Sequence, residues 1–173
     1  MEAIKVNPKF KYEINKIPGA ENIMLCFQCG TCTAGCPIAR FSDFYKPRTI
    51  VRMVQLGLRE TLLSEKDLWL CTTCYACIDR CPQEVEAASI VRALRNLVVK
   101  EKKTMPLAYR EMASNLMKTG YIYLIPELRI KRREKQGLPP LSKTNPEIIA
   151  KIFDMTGLRS ILENVKPLTK EEE

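Results

Sequence analysis

Eight cysteines in two copies of one pattern constrain this chain more than any other feature. The first copy is Cys26-Phe-Gln-Cys29-Gly-Thr-Cys32-Thr-Ala-Gly-Cys36-Pro37. The second is Cys71-Thr-Thr-Cys74-Tyr-Ala-Cys77-Ile-Asp-Arg-Cys81-Pro82. Both read C-x2-C-x2-C-x3-C-P, and together they use every cysteine of the 173 residues. An Ile-Val-Arg triplet follows each copy, at Ile50-Val51-Arg52 and at Ile90-Val91-Arg92. The connection from Cys36 to Ile50 is five residues longer than that from Cys81 to Ile90. The chain therefore reads as a duplicated unit with an insertion in its first copy.

Three cysteines at i, i+3 and i+6 let one loop cap three corners of a [4Fe–4S] cube, and a fourth thiolate completes the set. Gly30 and Gly35 allow tight turns and a close approach of backbone N–H groups to the cluster sulfurs. The fourth cysteine, followed by proline, leaves its loop and ligates the other cluster. This assigns Cys26, Cys29, Cys32 and Cys81 to one cluster, and Cys71, Cys74, Cys77 and Cys36 to a second. The competing metal is zinc, whose four-cysteine sites take two well-separated C-x2-C pairs. Here a third cysteine crowds each pair, so the pattern favours cubanes. Disulfides rank lower still in a chain that carries no secretory signal.

Composition narrows the chemistry further. There is no histidine, so the commonest general base is missing and metal must be held mainly through sulfur. No cysteine is spare for redox catalysis, and neither a Walker A loop nor G-x-G-x-x-G occurs. The chain is expected to lack a substrate-transforming site of its own. Its formal charge of +8 falls to about +4 once eight thiolates hold two cores of roughly 2+ each. Counter-charge for the clusters is thus ranked ahead of nucleic-acid binding. The basic run Arg129 to Lys135 reads first as a solvated helix face. The longest uncharged stretch, Asn22 to Ala39, holds four cysteines and is no lipid-facing helix. A soluble, cytoplasmic protein without a membrane span is expected.

The rest reads as helix, giving an all-α fold class. Pro47 opens a helix with Ile50, Met53, Val54 and Leu58 at helical spacing, and Gly57 breaks it. Ser64 to Asp67 resembles a capping box before Trp69. A further helix begins near Glu84 and Glu86, buries Ile90, Val91, Leu94, Leu97 and Val98, and ends at Lys100, Lys102 and Lys103. Pro106 opens another, with Tyr109, Met112, Ala113, Leu116 and Met117 inward and Gly120 as its stop. Leu138-Pro139-Pro140 is a linker, Asn145-Pro146 starts a last helix that stops near Gly157, and a charged tail from Lys166 is expected to fray. The expected organisation is an N-terminal extension (1–20), a two-cluster domain (21–104) and a helical C-terminal extension (105–173).

Two such motifs separated by a long helical insert resemble the alpha-helical ferredoxins. Within that group the chain is similar to the C subunits of the CoB–CoM heterodisulfide reductases. The similarity rests on the short segment before Cys26, on Leu68-Trp69-Leu70-Cys71-Thr72-Thr73-Cys74 closing the insert, and on a basic helical tail. It implies an electron relay with two [4Fe–4S] clusters between the flavin-bearing A subunit and the B subunit of heterodisulfide reductase. In that family, the B subunit carries paired C-C-G motifs that hold noncubane clusters, where CoM-S-S-CoB is cleaved. This chain has no C-C-G. The resemblance also leaves room for a hydrogenase or a formate dehydrogenase upstream as donor, without saying which. The alternative is the same module in a lactate, glycerol-3-phosphate or quinone-linked oxidoreductase. A regulatory or nucleic-acid-binding iron–sulfur protein ranks below both.

Overall fold

A computed structural model describes residues 5–64, 66–102 and 104–168. Its contacts divide into two compact units, Met1–Lys102 and Lys103–Glu173.

In the first unit the duplication is visible as repeated geometry. A 3-10 helix, Glu21–Leu25, leads into Cys26, and another, Lys66–Leu70, leads into Cys71. Each cysteine loop then contains two residues with positive φ. These are Gln28 and Gly30 in the first copy, and Thr73 and Tyr75 at the matching places in the second. A four-residue helix follows in each, α2 (Thr31–Ala34) and α5 (Ala76–Asp79), and α2 packs on α5.

Two longer helices come next, α3 (Pro47–Leu56) and α6 (Ala87–Leu97). Pro47 sits in the first turn of α3, where its missing N–H has no partner to lose, and Gly57 ends the helix at φ 78. Ile50, Val51 and Val54 from α3 pack with Ile90, Val91 and Leu94 from α6, all at most 1% exposed. Each such side chain contributes roughly 2 kcal/mol of apolar transfer free energy. After Leu97 the chain widens into a π turn, Val98–Lys102, so the helical run does reach Lys102 as its basic end suggests.

The N-terminal segment joins this core. Helix α1 (Phe10–Asn15) inserts Phe10 and Ile14, both fully buried. Helix α4 (Arg59–Ser64) adds Leu62 and Leu63. Ser64 is the last residue of this helix. The carboxylate of Asp67 accepts from the Ser42 hydroxyl, and that same hydroxyl oxygen accepts the Tyr45 N–H at 2.7 Å. Asp67, at the end of the stretch read as a capping box, thus anchors the insertion of the first copy.

The second unit is a smaller helical assembly. Helix α7 (Leu107–Thr119) packs on α9 (Pro146–Met155), and α8 (Glu127–Lys135) and α10 (Leu158–Asn164) complete it. Gly120 ends α7 at φ 77, and Asn145 caps α9 by accepting the Ile148 N–H. Two expectations give way here. Tyr109 and Met112 of α7 are exposed, because α7 leans on one neighbouring helix and, of the residues expected inward, half-buries Ala113, Leu116 and Met117. Lys166–Leu168 does not fray. It forms β2, paired in parallel with β1 (Thr104–Pro106) in the register Met105↔Pro167. The remainder of the expected charged tail, and Lys103, lie outside the described residues.

Candidate metal centre

The folded repeat sorts the eight cysteines into two cavities. The first is lined by Cys26, Cys29, Cys32 and Cys81, with Val51 and Val85 among its apolar walls. The second is lined by Cys36, Cys71, Cys74 and Cys77, with Ile38, Tyr45 and Ala88. Each cavity thus draws three cysteines from one copy and the fourth from the other. None of the eight forms a disulfide. Cys29 and Cys74, the middle cysteines of each loop, are exposed, and Cys36 is buried.

Local backbone geometry produces this arrangement. The 3-10 helix delivers the first cysteine of each copy. The positive-φ residues then curl the loop so that the next two cysteines face the same void, and Gly30 takes that conformation without strain. Polar groups converge on the sulfurs. Gln28 Nε2 donates to Cys26 Sγ at 3.2 Å, and the Val85 N–H donates to Cys81 Sγ at 3.2 Å. The Thr31 hydroxyl lies 3.4 Å from Cys29 Sγ and holds that thiol below its ordinary pKa. Burial pushes Cys32 up, and pushes Cys77 up to about 11. Tyr45 is buried, and burial together with its hydrogen bond to the Cys71 side chain holds its phenol well above the ordinary value.

Half-buried thiols that resist ionisation need a cation to become thiolates, because a bound metal reverses the local pKa logic. Among the described residues, no group of three or more His, Cys, Asp or Glu side chains is arranged to hold a single metal ion. Four sulfurs lining one void instead suit a group that takes one thiolate per corner, with backbone and side-chain donors left for its sulfides. The residues present fit a [4Fe–4S] cubane in each cavity.

Three contributors escaped the sequence reading. Tyr45 reaches the second cavity from the insertion of the first copy. Gln55 and Arg95 each hold the backbone of a first cysteine: Gln55 Nε2 donates to the Cys26 carbonyl at 3.3 Å, and Arg95 Nη2 donates to the Cys71 carbonyl at 2.8 Å. The available signal was positional, since each lies five residues beyond the isoleucine of an Ile-Val-Arg triplet.

Comparison with known proteins places these features. The profile of the 4Fe-4S dicluster domain matches residues 22–85, the span holding all eight cysteines. Fold and site together define an all-α, ferredoxin-like electron-transfer protein with two [4Fe–4S] clusters. The C subunit of the H(2):CoB-CoM heterodisulfide,ferredoxin reductase of Methanothermobacter marburgensis is 34% identical, over 91% of this chain and 86% of its own length. The second iron-sulfur C subunit of the CoB–CoM heterodisulfide reductase of Methanocaldococcus jannaschii is 37% identical, over 83% and 81%. The C2 subunit of the H(2)/formate:CoB-CoM heterodisulfide,ferredoxin reductase of Methanococcus maripaludis is 32% identical, over 96% and 91%. The chain belongs to the family of heterodisulfide reductase C subunits. It is an electron-transfer subunit of an oxidoreductase complex, and the relay module of other oxidoreductases is not favoured. Among the described residues, no helix is long and apolar enough to cross a membrane.

Proposed function

We propose that this chain relays electrons inside a cytoplasmic CoB–CoM heterodisulfide reductase of methanogenesis, from the flavin-bearing A subunit to the B subunit, which reduces CoM-S-S-CoB on noncubane clusters. A hydrogenase or a formate dehydrogenase stands upstream, in keeping with the donors named for the relatives. The observation that carries this reading is the division of all eight cysteines, four and four, between two cavities of one compact unit. No thiol is left over for disulfide chemistry. A bound cubane supplies one-electron storage and release. Cys26, Cys29, Cys32 and Cys81 hold one, and Cys71, Cys74, Cys77 and Cys36 hold the other. Gln28, Thr31 and the Val85 N–H stabilise charge on the sulfurs of the first site, and Tyr45 does so at the second.

The test uses the complex purified anaerobically with whatever adheres to this chain. Its clusters are reduced, CoM-S-S-CoB is added, and absorbance and EPR are followed. Reoxidation by the complex and not by the isolated chain is expected. An intact, fully reduced complex that is not reoxidised overturns the assignment. In the same preparation Cys36→Ser is expected to disturb the cluster of Cys71, Cys74 and Cys77. Loss of the cluster of Cys26, Cys29 and Cys32 instead would refute the crossed ligation.

A further inference from the structure

The two copies hold their first cysteine with the same device built from different chemistry. In each, a side chain from the long helix reaches back to the 3-10 turn and donates to two carbonyls three residues apart. In the first copy Gln55 Nε2 donates to Ile23 O at 2.9 Å and to Cys26 O at 3.3 Å. In the second, Arg95 Nε donates to Leu68 O and Arg95 Nη2 to Cys71 O, both at 2.8 Å. Ile23 precedes Cys26 by the same interval as Leu68 precedes Cys71, and Gln55 follows Ile50 as Arg95 follows Ile90. The positions are equivalent in the duplication. One carries a neutral amide, the other a guanidinium.

That difference is electrostatic and it is buried. Arg95 is 8% exposed, and its Cζ lies 5.3 Å from the centroid of the Trp69 ring. Among the described residues its guanidinium donates to carbonyl oxygens and to no carboxylate. Arg52 and its counterpart Arg92, and Arg48 at the mouth of the first cavity, are by contrast exposed. Solvent and salt screen those charges, whereas a buried charge acts at a lower effective dielectric. An arginine stays protonated throughout the physiological range, so the charge is permanent. A cluster gains one unit of negative charge on reduction, and a nearby fixed positive charge favours that state.

We propose that the Gln55/Arg95 difference sets the two sites at different reduction potentials, with the site of Cys36, Cys71, Cys74 and Cys77 the higher. This rests on the ligation proposed above. Arg95 is then a positioning residue that fixes the Cys71 backbone and also biases where an electron rests. The duplicated unit has become a pair of unequal sites by one substitution at a shared position.

The test is an EPR-monitored potentiometric titration of the full-length, cluster-loaded chain with dithionite as reductant. Cys74→Ser identifies the signal of the second site. Arg95→Gln, which installs the first copy's own solution, is expected to move that one potential to a more negative value and narrow the gap. Arg95→Lys keeps the charge and is expected to stay near wild type. Unchanged potentials in Arg95→Gln, or equal shifts in Arg95→Gln and Arg95→Lys, would overturn the proposal and leave Arg95 a purely structural clamp. Should Arg95→Gln fail to retain its cluster, Gln55→Arg reads the effect in the mirror direction. There a rise of the first site's potential is expected, and no rise overturns the idea. If Cys36→Ser and Cys74→Ser disturb different signals, the crossed ligation fails, while the Arg95 titration still reports on the site beside Cys71.

Discussion

At the scale of single residues, the backbone conformations that only glycine adopts freely fall into two kinds. Gly57 has φ +78, and a Cβ there would stand 2.3 Å from the Asn7 carbonyl oxygen. Its own carbonyl accepts the Asn7 N–H at 2.8 Å, so this residue clasps the N-terminal segment to the end of α3. Gly157 has φ +71 with nothing within 4 Å of the same added atom. Gly157→Ala is therefore expected to cost only the conformational penalty, about 1 kcal/mol. Gly57→Ala adds a backbone collision and is expected to cost about 3 kcal/mol. Thermal unfolding of the two variants side by side checks the difference. Tyr75 occupies the position equivalent to Gly30 with φ 61, so the second copy carries strain that the first avoids. The cysteines were legible in the sequence because their chemistry depends on spacing within a dozen residues. Tyr45, Gln55 and Arg95 were not, because each acts on a backbone or sulfur atom more than twenty residues away, and helical periodicity says nothing about such partners.

At the scale of elements, one arginine ties three of them together. Arg59, at the start of α4, meets Glu13 of α1 at 3.5 Å, Glu101 of the π turn, and its neighbour Glu60 at 3.4 Å. Its guanidinium also lies 5.6 Å from the Phe10 ring centroid. A networked, mostly covered arginine is worth more than an isolated surface pair. Arg59→Ala is expected to lower stability by about 1–2 kcal/mol, with Arg59→Lys recovering less than half of it, since an ammonium lacks the planar fork. Chemical denaturation at low and high salt reads both the loss and its screening. Helix ends were legible where the determinant is local, as at Pro47, Gly57, Gly120 and Asn145. The β1–β2 pair was not, because two three-residue strands some sixty residues apart carry no alternation, and each includes a proline, Pro106 and Pro167. The inward stripe of α7 was overdrawn for a related reason. Periodicity marks the apolar side of a helix, but the number of neighbours decides how much of that side is covered.

At the scale of the whole molecule, the chemistry and the bulk of the core lie in one unit. All eight cysteines and the cluster of buried residues around Ile50, Ile90 and Leu94 fall within Met1–Lys102. A chain truncated after Lys102 is expected to reconstitute both clusters and to retain their EPR signals, and iron and sulfide determination after anaerobic reconstitution checks it. Failure to hold either cluster would show that the second unit supports the first. The interlocked cavities, each walled by three cysteines of one copy and one of the other, bear on how such a chain is made. On a ribosome neither cavity has its fourth wall until Cys81 has been synthesised for the first and Cys77 for the second. Cofactor delivery must therefore wait for nearly the whole first unit, and a nascent chain arrested between the copies offers two incomplete sites instead of one finished one. A half-length chain with a single motif would meet the same geometric demand only by pairing with its twin. Joining the halves removes that dependence on concentration and lets a difference such as Gln55 against Arg95 be written into one side alone.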